Sequence, residues 1–142
     1  MNDPFDPNRF LDETTFVVLD VETTGLNAAY GHRVCEIACL RLRGDDELAQ
    51  FETLVEPRRP ISPGAYRVNG IRPEMLRGAP RFEEIAGSVL EIMKDAVLVA
   101  HNAPFDLGFL AAELDLAQMP APMGPVVDTL SLAKRAYTLP RN

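Results

Sequence analysis

The sequence predicts an α/β fold on three observations. Phe16 to Glu22 is rich in β-branched and aromatic residues in a continuous run, as a central strand covered on both faces would be. Phe82, Ile85, Ala86, Val89, Leu90, Ile92 and Met93 recur with the period of an amphipathic helix. Ala96 to His101 is a second short apolar strand, followed at once by the helix-starting residues Asn102-Ala103-Pro104.

Taken in order, residues 1–15 hold three aspartates and two prolines with little apolar periodicity, and read as a loosely held arm before an ordered unit over 16–142. The first strand ends at Thr23-Thr24-Gly25. Arg33 to Arg43 and Leu48 to Glu56 form a hairpin about the turn Gly44-Asp45-Asp46-Glu47. From Pro57 to Pro80 there are five prolines and three glycines, which predict a long connection with at most short helical turns. The periodic helix over 82–93 follows, then the strand over 96–101. Next comes a helix capped by Asn102 and running to about Ala117. A proline-rich link, Met119 to Pro125, leads to Val126-Val127-Asp128 and a last helical stretch through Tyr137.

Length and composition agree with one globular unit. At 142 residues, 46% apolar and 25% charged, the chain can bury roughly 70% of its unfolded surface. Disordered, collagenous and disulfide-scaffold classes are excluded. The longest apolar runs fall far short of the ~20 residues of a membrane span, and the acidic start, with Asp3 and Asp6, does not resemble a signal peptide. A cytoplasmic location is the expectation. Cys35 and Cys39, four apart in a strand, would stand ~13 Å apart and read as reduced packing residues. A net charge of −7 offers nothing global to a polyanion, so a nucleic-acid role needs local support.

Asp20 and Glu22 end the first apolar strand, and strand alternation puts both carboxylates on one face, ~6.6 Å apart at Cα. Pairing like charges there calls for a cation, and an oxygen-only donor set favours Mg²⁺ or Mn²⁺ over zinc. The competing reading is a hydrated strand end. Asp106, in the first turn of its helix, is explained either by the N-terminal dipole or by convergence with Asp20 and Glu22 if the two apolar strands are neighbours. Three carboxylates at one sheet edge would suit two-metal phosphoryl chemistry. His101 reads as a satisfied structural histidine and His32 as a solvated loop residue, while Asp128 reads as the cap of the last helix. Between Pro57 and Phe82 six arginines face the single Glu74, either as a solvated loop or as a surface for a phosphate backbone. Phe105 is a stacking candidate or a core residue.

Val18-Leu19-Asp20-Val21-Glu22-Thr23-Thr24-Gly25-Leu26 and Ala100-His101-Asn102-Ala103-Pro104-Phe105-Asp106-Leu107-Gly108-Phe109-Leu110 together resemble the first two motifs of the DEDD exonuclease superfamily, in its proofreading epsilon-subunit branch. Val68-Asn69-Gly70-Ile71 is similar to that family's connector, with Asn69 where histidine is usual. The resemblance implies an RNase H-like fold, a mixed five-stranded sheet flanked by helices. It implies metal-dependent 3′→5′ hydrolysis at the 3′ end of single-stranded DNA, or of RNA in related ribonucleases, with two divalent cations, Mg²⁺ or Mn²⁺, and association with a DNA polymerase.

Residue by residue, Asp20, Glu22 and Asp106 would be metal ligands and Asp20 would be shared between the ions. Thr23 and Phe105 would touch the terminal nucleotides, and Asn69 would make an altered contact to the strand. The family's third motif, a histidine base and a fourth carboxylate five residues on, has no match in residues 1–142. The expectation is therefore an exonuclease domain lacking its C-terminal part, with a catalytically silent binding module as the competing reading.

Overall fold

A computed structural model of the chain describes residues 3–137. It contains β1 (Thr15–Thr23), β2 (Val34–Arg43), β3 (Asp46–Leu54), α1 (Pro63–Asn69), α2 (Phe82–Met93), β4 (Val97–Ala100), α3 (Ala103–Leu116), β5 (Val126–Asp128) and α4 (Thr129–Ala136). The five strands form one mixed sheet in the order β3-β2-β1-β4-β5. β1 pairs antiparallel with β2 and parallel with β4, in the register Phe16–Val97, Val17–Leu98 and Val18–Val99. The expected α/β class, the RNase H-like sheet of five strands and the flanking helices are all present.

The two apolar strands are neighbours because each supplies a residue row to one core. Val17, Leu19 and Val21 of β1 and Leu98 and Ala100 of β4 pack with Phe82, Val89 and Met93 of α2 and Phe109, Leu110 and Leu114 of α3. Full burial of side chains of this size stabilises by about 2 kcal/mol each. Both long helices therefore cover the same side of the sheet.

That arrangement corrects the expectation that β1 is covered on both faces. Its odd residues are buried, but Val18 is 39% exposed and Asp20 points to solvent, so its second face is open among the described residues. The run Phe16-Val17-Val18-Leu19 hides this alternation because Val18 is apolar on the open side.

Several boundaries also shift. The hairpin turn is only Gly44-Asp45, with Gly44 at φ 59°, and β3 starts at Asp46 rather than Leu48. A register break between Arg41 and Leu42 absorbs the extra residue. The connection over 57–80 holds α1, capped by Ser62, and a 3₁₀ turn over Pro73–Leu76. Asn102 does not cap α3 through its side chain: it is left-handed, at φ 67° and ψ 57°, and its amide donates to Asp128 Oδ1 at 2.9 Å. At the N-terminal arm, a side chain on Gly124 would meet the Phe5 ring at 2.8 Å, so Phe5 lies against the Met119–Pro125 link.

Candidate active site

The parallel pairing of β1 with β4 stops at Val18–Val99, and β4 itself ends at Ala100. Beyond that point the β4-side edge of β1 has lost its ladder partner. Asp106 fills the gap: its Oδ2 accepts the Val21 amide at 3.0 Å, a side-chain acceptor standing in for the next strand carbonyl. The sharp β4–α3 turn through left-handed Asn102 brings the first turn of α3 back over the strand ends, and Pro104 sits there without loss because those amides have no helical partner.

Asp20 and Glu22 flank Val21 on the open face. Burial raises the Glu22 carboxyl pKa, and the charges of Asp20, Glu36 and Asp106 raise it further. Burial likewise pushes the Asp106 carboxyl up to about 6, with Asp20 adding to the rise and the Val21 amide opposing it. The three carboxylates thus share one electrostatic neighbourhood, and among the described residues no ion pair joins any of them to a Lys or Arg.

They do not form a ready cage. Among the described residues no three His, Cys, Asp or Glu side chains stand at the spacing of a formed metal cage, although Asp20, Glu22 and Asp106 share one end of β1. Asp106 turns back to the Val21 amide, while Asp20 is exposed. The donor set nevertheless fits a hard divalent cation in chemistry and charge, since it is all oxygen, mutually repelling and uncompensated.

The remaining predicted residues ring a cleft of about 130 Å³ bounded by Glu22, Thr23, Leu26, Val68, Asn69 and Phe105. Thr23 is buried and its hydroxyl donates to the Gly25 carbonyl at 2.6 Å, so it shapes the loop after β1. Asn69 is bonded to the protein backbone on both sides: its Nδ2 donates to the Thr23 carbonyl at 3.1 Å and its Oδ1 accepts the Ile71 amide at 3.0 Å. Phe105 is half-buried, tilted against Phe109 with ring centroids 5.0 Å apart, and one side of it faces the cleft.

Other predicted residues divide differently. His32 is no solvated loop residue. Its Nδ1 lies 2.9 Å from Thr24 Oγ1 and its ring lies over Gly25, where a Cβ would come within 2.4 Å of it. His101 is exposed and bonded through Nδ1 to Thr129 Oγ1 at 3.0 Å, so it is satisfied but not in a strand. Asp128 caps α4 through the Leu130 amide and also holds Asn102, joining the two helix starts beside the site. Cys35 and Cys39 are buried free thiols, each pushed up to about 12 chiefly by burial. Of the arginine stretch, Arg58 and Arg81 pair with Glu83, Arg72 pairs with Glu74, and Arg59 donates to the Tyr30 carbonyl.

Two features escaped sequence reasoning. Glu36 stands opposite Glu22 across the β1–β2 ladder, and its pKa is raised by burial and by Glu52 and Asp20. Glu113, 2% exposed, takes both arms of Arg33 at 2.7 and 2.8 Å and the Val34 amide at 3.0 Å. Its signal was present: an acid among Phe109, Leu110 and Leu114 on the apolar face of a helix requires a buried partner.

A mixed five-stranded sheet with two helices on one side and acids gathered where β1 parts from β4 is the architecture of DEDD-type nucleases. The chain belongs to the exonuclease family, whose model, of the RNase T type, matches residues 17–142. It is 40% identical over 131 residues to the PolC-type DNA polymerase III of Bacillus subtilis, covering 92% of this chain and 9% of that one. The chain thus spans about a tenth of the length of such curated relatives. Among solved structures, the zinc-bound E. coli exonuclease I–ssDNA complex superimposes with a TM-score of 0.80 at 18% identity, over 89% of this chain and 30% of that one. Exonuclease X in complex with 5′-overhanging duplex DNA gives 0.66 at 28% identity, over 86% and 64%. The motif resemblance therefore holds for the superfamily and for polymerase III, with relatives in which the matching segment is a small part of the polymerase chain itself. No helix of the described residues is long and apolar enough to cross a membrane.

Proposed function

We propose that this chain is the nuclease segment of a proofreading system, hydrolysing the last phosphodiester at the 3′ end of single-stranded DNA in the cytoplasm, in association with a DNA polymerase. The observation that carries this reading is the bond of Asp106 to the Val21 amide, between Asp20 and Glu22, at the point where β1 outlives its pairing with β4. The kinship with PolC-type chains favours DNA over RNA as substrate and a polymerase as partner.

Asp20, Glu22 and Asp106 would hold two divalent cations, Mg²⁺ or Mn²⁺. When bound, such ions generate a hydroxide from water and offset charge on the attacking and leaving oxygens. The chain's own residues prepare the rest. Phe105 offers an aromatic face on the cleft for the terminal base, while Asn69 fixes the Thr23 backbone on its rim. Water adds across the P–O3′ bond, releasing a nucleoside 5′-monophosphate and leaving a new 3′-hydroxyl.

The test is the full-length gene product incubated with 5′-labelled single-stranded DNA or matched RNA and Mn²⁺ or Mg²⁺. Stepwise shortening from the 3′ end of DNA, lost in Asp20→Ala, is expected. Mn²⁺ binding without hydrolysis would instead identify a silent binding module, and preferential RNA shortening an exoribonuclease.

A further inference from the structure

The ladder between β1 and β2 holds Glu22 opposite Glu36 and breaks its register only after it, between Glu22 and Thr23, but this pairing joins strand to strand and does not tie the end of β1 to α3. A second tie does so. Thr24 donates its amide to the Arg33 carbonyl at 2.8 Å and accepts the Arg33 amide on Oγ1 at 3.0 Å, locking the end of β1 to the residue before β2. Arg33 in turn grips Glu113 with Nε and Nη2, and Glu113 Oε1 also receives the Val34 amide. Glu113 lies seven residues after Asp106, two turns along the same face of α3.

We infer that Arg33 and Glu113 are positioning residues that set the separation of Glu22 from Asp106, and so the affinity of the carboxylate site for divalent cations; this rests on the metal-dependent reading proposed above. The chemistry explains why a bare ion pair is kept there. A buried carboxylate with three donors gains nothing for stability that packed aliphatic side chains would not also give. What it adds is direction: a planar fork that fixes both distance and angle between a helix and a strand end. The tie is also independent of Asp106's own bond to the Val21 amide, so α3 is held against the strand ends at two separate points.

The experiment measures Mn²⁺ binding by calorimetry, alongside urea unfolding, for wild type, Glu113→Gln, Arg33→Lys and the double variant Arg33→Met/Glu113→Met. Glu113→Gln keeps an acceptor for the Val34 amide and Arg33→Lys keeps the charge, so both loosen the bracket without emptying it and are expected to weaken Mn²⁺ binding about tenfold, within the range for substitutions that touch no ligand directly. The double Met variant keeps an apolar packed core and is expected to bind weakest while unfolding no more easily than Glu113→Gln. Wild-type affinity in folded variants, or affinity that simply follows unfolding free energy, overturns the inference. Wild type failing to bind Mn²⁺ would overturn the metal-dependent reading itself, an outcome separate from unchanged affinity among the variants.

Discussion

Asp106 accepts the Val21 amide at 3.0 Å, so the acid on the helix completes the hydrogen bonding of the strand residue that lies between the other two acids. Its place is fixed by the ladder that β4 abandons. This bond lowers the proton affinity of Asp106, yet burial outweighs it and the carboxyl sits at about 6.

The sign of the resulting pH dependence follows. Asp106 binds its proton more tightly in the folded chain than at its ordinary value of 3.8, so its stabilising contribution is complete below pH 3.8 and is lost as pH rises through about 6. In metal-free buffer the stability of wild type relative to Asp106→Asn is expected to fall across that window, by about 1 to 3 kcal/mol once solvent screening is allowed for. Urea unfolding of both proteins between pH 3.5 and 7 checks this, and parallel curves would refute it.

Divalent cations should act in the opposite direction. Mn²⁺ at a hundredfold excess over its dissociation constant adds about 2.7 kcal/mol to the folded state, or about 8 °C in Tm for a domain of this size. The shift is expected in wild type by scanning calorimetry, reversed by a chelator and abolished in Asp20→Ala. An equal shift in that variant would place the binding elsewhere.

Gly25→Ala brings a methyl group within 2.4 Å of the His32 ring. The ring must move and give up its bond to Thr24 Oγ1. A loss of about 2 kcal/mol is expected from chemical denaturation, the usual size of an overpacking effect. Gly25→Ala in a His32→Ala background should recover much of it, because the clash is then gone.

Asn69→Ala removes the donor to the Thr23 carbonyl and the acceptor for the Ile71 amide. About 1 to 2 kcal/mol of stability should be lost with these two bonds. In a nuclease assay of the full-length product, KM for DNA is expected to rise more than kcat falls, because Asn69 lines the cleft and does not belong to the acid group.

The order of elements and the α2 span were legible because each rests on a local pattern, whereas the pairing of β1 with β4 joins distant segments and no local pattern decides it. Phe82, Ile85 and Val89 repeat every three or four residues, and Pro104 marks a helix start. The open face of β1 was not legible, since Val18 is apolar on both readings and only the packing of α2 and α3 on one side decides it. Of the site, spacing and resemblance singled out Asp20, Glu22 and Asp106, and the structure adds what spacing does not carry, the bond of Asp106 to the Val21 amide. His32 and Arg33 look ordinary alone, and Glu113, an acid on an apolar helix face, calls for a buried partner without saying which, since the contact joins residues 80 apart.

The strand order leaves β3 at one rim of the sheet and the three-residue β5 at the other. An unpaired rim invites another chain to add itself, and β3 is long enough, at nine residues, to accept one. Two devices discourage this. Asp46, Glu47 and Glu52 put negative charge along the strand, and the break opposite Arg41 and Leu42 interrupts its regular edge. The same acidity that weighed against a nucleic-acid role in the sequence thus guards this rim against self-association into extended sheets.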